Sequence, residues 1–323
     1  SPEQCEELFK AVDQNVSIVQ PDSLGVVSDY STANEEHIEK VLAAMCIDTD
    51  NIRKNKFKVV IDCVNGAGSF ILPMLCEKLG CEVITINCNG NGDFTRIPEP
   101  LAENLNELEK KVINVGADVG FATDPDGDRL SIISNKGNAI GEEYTLVLAV
   151  KNYLTYQKSI VATNLSTSMM LESIANETIR TKIGEAHVVQ KMNELNIPIG
   201  GEGNGGVILK EVHLGRDSLV AISMILSLLS SSGKSISDEI SNIPQYLMIK
   251  DKILIDDKID FDSLETIFDC NEINKIDGIK FIWPNKWIHI RKSNTEPIIR
   301  IFAEASTQEE VDELVNTLKN HLK

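Results

Sequence analysis

At 323 residues, with 42% hydrophobic and 25% charged side chains, the chain has more apolar material than one small core needs, which fits about two to three domains. A formal net charge of −18 disfavours nucleic acid and anionic membranes as partners. No stretch approaches the ~18 uninterrupted apolar residues of a membrane span, and neither end carries a basic segment followed by an apolar run, so a soluble cytoplasmic protein is expected.

In chain order, residues 3–12 read as a short amphipathic helix, 16–19 as a strand, and Gln20-Pro-Asp-Ser as a turn. Residues 1–27 lack a core of their own. A helix over 35–46 precedes the β-branched run 56–64, which closes on Asn65-Gly-Ala-Gly68; a helix over 70–79 and a strand over 81–87 complete a βαβ unit. A helix over 105–115 and a strand over 117–122 extend a small parallel sheet that ends near Gly137. A second unit repeats the alternation: helix 142–154, strand 158–163, helix 168–176, then strand, helix, glycine-rich loop and helix. Two such layers in tandem would turn the loops at their strands' carboxyl ends toward a shared crevice. From Gln245 the texture changes to alternating strand-like runs around a helix over 261–268, ending in a helix over 307–322. The expected architecture is therefore two tandem α/β units followed by an α+β unit with an antiparallel sheet, divided as 28–138, 139–244 and 245–323.

Seven cysteines are scattered with no C-x-x-C pair, so neither a disulfide framework nor a zinc site is indicated. The histidines offer no pair at metal-ligand spacing; His213 and His289 merely flank the loops below.

Three loops carry chemistry. Asp124-Pro-Asp-Gly-Asp-Arg129 follows a strand and can converge alternate carboxylates on one hard divalent cation such as magnesium. An EF-hand needs glycine and glutamate where Arg129 and Asn135 stand, and a solvated acidic turn would leave three like charges uncompensated. Gly200-Gly-Glu-Gly-Asn-Gly-Gly206 leaves backbone room around Glu202 and Asn204, a carboxylate and an amide suited to sugar hydroxyls; by itself it equally describes a plain turn. Arg291-Lys-Ser-Asn-Thr-Glu-Pro297, followed by Arg300, gathers guanidinium, hydroxyl, amide and backbone N–H groups suited to a phosphate dianion, against the alternative of a surface loop with an Arg291–Glu296 ion pair. Asn65-Gly-Ala-Gly68 lacks the third glycine and the ribose-binding acid of a dinucleotide loop and is taken as structural.

In this order and spacing the three loops resemble those of the α-D-phosphohexomutase family, over nearly the whole chain. The resemblance implies that Asp124, Asp126 and Asp128 hold Mg2+ with Arg129 beside the transferring phosphoryl group. It implies that Glu202, within a G-E-x-S-G-H-like loop, and Asn204 meet the sugar, together with Lys182 in Thr-Lys-Ile-Gly184. Arg291, Ser293, Asn294 and Thr295, with Arg300, would grip the non-reacting phosphate of a hexose phosphate or bisphosphate. Two departures stand out: Asn204 and Gly206 replace the family's serine and histidine, and no serine is followed by histidine, as the family's phosphoserine is. The expectation is a phosphohexomutase, above all a phosphoglucosamine mutase, whose first domain lies outside these residues, of which 1–27 would be the tail; these residues alone would then be inactive. The alternatives are phosphoglucomutase or phosphomannomutase, a non-catalytic sugar-phosphate binding protein, and a phosphatase using Asp124 as nucleophile. The sequence leaves the sugar, the general acid or base and the oligomeric state open.

Overall fold

The computed structural model describes residues 2–14, 19–254, 262–293 and 297–322. The strand expected over 16–19 falls largely outside them. Helix α1 (Pro2–Asp13) is exposed from Gln4 onward. Helix α2 (Ala33–Leu42) ends earlier than expected and is followed by α3 (Thr49–Asn55), whose N-cap Asp48 accepts from Asn51 N. Then come β1 (Lys58–Asp62), α4 (Gly68–Lys78), β2 (Glu82–Ile86), α5 (Asn106–Val115), β3 (Val119–Thr123) and β4 (Leu130–Ile133). The sheet order is β2-β1-β3-β4, with β1 parallel to both neighbours and β4 antiparallel to β3. The sheet is therefore mixed rather than parallel throughout, because the chain returns along β3 immediately after the acidic loop.

The second unit repeats this plan. Helix α6 (Glu143–Tyr156) leads to β5 (Val161–Asn164), β6 (Thr178–Thr181), α7 (Glu185–Glu194), β7 (Ile199–Glu202), β8 (Gly206–Leu209), α8 (Ser218–Ser232) and α9 (Ile236–Ser241). The order is β6-β5-β7-β8, again with only the last strand antiparallel. The helix expected over 168–176 is a short 3-10 turn, Met169–Ser173, and the glycine-rich loop is a hairpin whose flanks are β7 and β8. Helix α8 is apolar nearly all round, as suits a helix enclosed on every side. Its Val220, Ile222, Met224 and Ile225 join Ile38, Ile52, Ile61, Phe121, Leu146 and Ile199 in one core running through both units.

The third unit contains β9 (Leu247–Leu254), β10 (Glu272–Asn274), β11 (Ile279–Ile282), β12 (Trp287–Lys292), β13 (Ile298–Ala305) and α10 (Gln308–His321). Its sheet, β10-β11-β12-β13-β9, is antiparallel and buries Phe281, Ile288, Ile290 and Ile301 with Val311, Leu314 and Leu318 of α10. The described part of the helix expected over 261–268 is a 3-10 turn, Asp262–Thr266.

Directional polar contacts fasten this unit to the second. Lys280 Nζ donates to the Leu165 carbonyl at 2.5 Å, and Asp277 Oδ2 accepts from Ile183 N at 2.9 Å. Glu304 Oε2 accepts from Met169 N at 2.9 Å. His289 bonds the Asp277 carbonyl through Nε2 at 2.6 Å, which fixes the proton there and leaves Nδ1 to accept from Ser166 Oγ at 2.8 Å. Burial, against the pull of that carbonyl, holds the His289 pKa down to about 4, so the ring stays neutral and structural. No helix among the described residues is long and apolar enough to cross a membrane.

Candidate active site

In an open α/β sheet the crevice forms where neighbouring parallel strands send their connections to opposite sides. Each of the first two units has one. In the first, the loops after β1 and β3 meet there: Ala67 N donates to the Pro125 carbonyl at 2.8 Å. Asn65 braces its loop from behind, accepting from Asn89 N at 2.9 Å and donating to the Asp93 carbonyl at 2.8 Å. A Cβ on Gly66 would lie 2.4 Å from the Pro125 oxygen, so only glycine lets the two backbones touch. Asn65-Gly-Ala-Gly68 is thus the shelf on which the acidic loop rests, in keeping with a structural reading.

Asp124, Asp126 and Asp128 each place a carboxylate oxygen within 4.8 Å of the others. Asp124 is buried and accepts from Arg129 Nε at 2.5 Å, and Arg129 also reaches Glu99 at 3.1 Å. Asp128 pairs with Arg216, yet its buried Oδ1 has no hydrogen-bond partner. Burial pushes the Asp128 carboxyl up to about 6; Arg216 pulls it down, but Asp124 and Asp126 push it up again. Three convergent carboxylates and an orphaned buried oxygen fit a hard divalent cation, and this group could hold one.

The raised pKa sets a pH dependence. Between the ordinary 3.8 and about 6 the folded state holds the Asp128 proton more tightly than the unfolded chain, so this group's contribution to stability falls as pH rises across that window. Cation binding requires the carboxylate and runs the other way. Magnesium affinity, measured by calorimetry, is expected to rise through about pH 6, and Asp128→Asn to flatten that rise.

In the second unit the loops after β5 and β7 meet in the same manner. Asn164 Nδ2 and Gly184 N donate to Glu202 Oε1 at 2.8 and 3.1 Å, and Gly203 N donates to Thr167 Oγ1 at 3.0 Å. Glu202 Oε2 accepts from Arg216 Nη1 at 2.8 Å and keeps a lone pair for another donor. Gly205, at φ +93°, brings the hairpin against the Leu130 backbone of the first unit; its carbonyl accepts from Leu130 N at 3.0 Å. Asn204 Oδ1 accepts from Gly206 N at 3.2 Å. Glu202 and Asn204 line a cavity of about 180 Å³ together with Asn164, Ser166, Glu143 and Lys250. Glu143 is pushed up to about 7, by burial first, against the counter-charge of Lys250 at 3.3 Å.

In the third unit Arg291 and Arg300 stand directly opposite each other on β12 and β13. Like charges opposed across a ladder repel, unless an anion lies between them. Arg291 Nε is buried without a hydrogen-bond partner, and burial, opposed by Asp277, lowers the guanidinium's pKa. Ser293 N donates to the Ile298 carbonyl at 2.9 Å, while Asn294 and Thr295 lie outside the described residues. Lys182 is exposed just beyond β6 and is not among the residues lining the main cavity. That cavity, of about 500 Å³, is shared by all three units: Arg129 and Glu99 come from the first, Asn204 from the second, and Arg300, Lys250 and Lys252 from the third.

The sequence places Arg216, like Arg129, Arg291 and Arg300, in a glycine- or carboxylate-rich loop suggestive of a small anion site, but gives it no part in joining the loops. Arg216 ties Asp128 of the acidic loop to Glu202 of the hairpin, and its backbone N donates to Glu185 at 2.7 Å. It stands just ahead of Asp217, the N-cap of α8.

Family models described as phosphoglucomutase/phosphomannomutase match the chain in three consecutive pieces: α/β/α domain II over residues 35–137, α/β/α domain III over 141–246, and the C-terminal domain over 252–321. A probable phosphoglucosamine mutase of Methanopyrus kandleri is 32% identical over 97% of this chain and 71% of its own length. A phosphoglucomutase/phosphomannomutase of Thermococcus kodakarensis is 37% identical over 83% of this chain and 61% of its own length. A crystal structure of a phosphoglucomutase/phosphomannomutase family protein from Burkholderia thailandensis superposes with a TM-score of 0.84, at 23% identity, over 99% of this chain and 70% of that one. With the doubled α/β plan and the antiparallel third sheet, these matches mean that the chain belongs to the phosphoglucomutase/phosphomannomutase family, the α-D-phosphohexomutases.

Proposed function

We propose that these residues form the metal, sugar and phosphate subsites of a phosphohexomutase that interconverts hexose 6-phosphate and 1-phosphate, with phosphoglucosamine as the preferred substrate. The observation that carries the reading is the cavity on which Arg129, Asn204 and Arg300 converge from three units. On this reading residues 28–138 hold the cation, 139–244 the sugar and 245–323 the distal phosphate. The attacking phosphoserine comes from a segment outside this sequence, which has no serine followed by histidine. The preference for glucosamine rests on the names of relatives such as the Methanopyrus protein.

Magnesium held by Asp124, Asp126 and Asp128 would neutralise charge developing on the transferring phosphoryl oxygens. Arg129 adds a guanidinium beside the same group while its Nε orients Asp124. Glu202 Oε2 orders a sugar hydroxyl, with Asn204 on the same wall. Arg291 and Arg300 clamp the far phosphate, which makes transfer effectively unimolecular and serves either phosphate in turn.

Titration with glucosamine 6-phosphate, glucose 6-phosphate and mannose 6-phosphate tests this. Arg291→Ala is expected to weaken binding by about ten- to a hundredfold, the worth of a charge-assisted hydrogen bond, and glucosamine 6-phosphate to rank first. Turnover by these 323 residues alone, without a phosphoserine donor, would sink the proposal. A non-catalytic sugar-phosphate binder would bind as well but gain no activity when the chain is extended at its N-terminus.

A further inference from the structure

We propose that His37, His213 and Asp217 form a second cation site, distinct from the aspartate loop, that takes a transition-metal ion of the zinc class. Among the described residues these three make up a second group whose potential ligand atoms lie within 4.8 Å of one another. His37 is on α2, and the other two are on the loop that enters α8. His37 Nε2 lies 2.8 Å and His213 Nε2 3.0 Å from the same oxygen, Asp217 Oδ2. The other oxygen, Oδ1, is committed to the N-terminus of α8, accepting from Leu219 N at 2.7 Å and Val220 N at 3.4 Å. The carboxylate is thereby held in orientation, as a metal ligand's second oxygen commonly is.

Donor chemistry separates the two sites. The aspartate loop offers oxygen alone, which suits magnesium; two imidazoles and one carboxylate suit zinc, cobalt or nickel and match a three-ligand zinc set with one position open. Ligand bonds of about 2.0–2.1 Å place tetrahedral neighbours about 3.3 Å apart. The observed 2.8 and 3.0 Å fall short by a few tenths of an ångström. The rings need only back away by that much, and with side chains 31% and 39% exposed they have the room. The ion would replace the two protons that the imidazoles now share with Asp217. Its open position would face a cavity of about 310 Å³ whose lining also includes Asp126, Asp128 and Arg216. Water or a phosphate oxygen could occupy that position, next to the loop that takes the hard cation.

The test uses the chelator-stripped chain in millimolar Mg2+, which occupies the aspartate loop, titrated with Co2+ and followed by its visible ligand-field absorption and by calorimetry. One Co2+ per chain is expected, with affinity reduced at least about tenfold in His37→Gln and in His213→Gln and reduced far less in Asp126→Asn, which removes a neighbouring charge but no ligand of this site. His213→Cys, which restores a donor, should retain the ion where His213→Gln loses it; thermal melts followed by circular dichroism establish that each variant is folded. Absence of the band, displacement of Co2+ by Mg2+, loss of binding in Asp126→Asn, or loss in folded His213→Cys equal to that in His213→Gln would each overturn the proposal.

Discussion

Gly66→Ala is expected to destabilise the protein by about 3 kcal/mol, the upper part of the range for overpacking, and to weaken magnesium binding although residue 66 supplies no ligand. The added methyl would meet the Pro125 carbonyl oxygen at 2.4 Å and its Cα at 2.8 Å. Neither neighbour is a side chain that can swing away. Relief must come from displacing the Pro125 backbone, and Pro125 lies between two of the three carboxylates. Asn65, anchored on Asn89 and Asp93, prevents the shelf from receding instead. Urea unfolding and a magnesium titration on the same sample check both halves. Gly25→Ala, where nothing lies within 4 Å, is the control and should be neutral in each. A destabilised Gly66→Ala with unchanged magnesium affinity would mean that the shelf supports the fold but not the loop.

Arg216→Met is expected to cost about 3 kcal/mol without divalent cations, the low end for removing one partner of a buried ion pair, because the arginine side chain is 18% exposed rather than sealed off. Three carboxylates, Asp128, Glu185 and Glu202, lose the Arg216 charge at once. The sign of the effect on cation binding is opposite. With the Arg216 guanidinium gone, Asp128 loses the closer of its two competitors for a metal ion, Arg129 Nε remaining 3.8 Å from Oδ1, and the local charge is more negative, so magnesium should bind the variant more tightly than wild type. Adding millimolar magnesium should therefore restore part of the lost stability by mass action. Thermal unfolding with and without magnesium measures both terms. Equal destabilisation in both conditions would show that Arg216 and the cation do not compete for Asp128.

The sequence made the fold legible wherever one period dominated. The long helices α4, α6 and α10 and the central strands β1 and β3 fall within a few residues of expectation. What escaped were four-residue strands with no periodic contrast: every residue of β4 and β8 is buried, so neither alternates. Helix α3 escaped as well, although Asp48 ahead of it is a cap signal. In the site, each loop could be recognised because its chemistry is contiguous in sequence. The bridging role of Arg216 could not, since its partners lie 14 and 88 residues away, and the approach of His37 to Asp217 spans 180 residues. The long-range pairing of strands and α8 creates these proximities, and no local pattern encodes them.

The seam between the second and third units bears on how the cleft can change shape. An apolar interface slides, losing a little contact for each ångström moved. Lys280, 2% exposed, its amine directed at a single carbonyl and stacked 3.8 Å over the Trp287 ring, cannot do that. A small rotation would leave the amine dehydrated and without an acceptor, with the bonds at Ser166, Ile183 and Met169 broken in the same step. Such a seam acts as a snap fastener. Any other orientation of the third unit must be far enough away for water to reach the groups left behind, so its movement against the second would be a jump between discrete positions rather than a continuous swing.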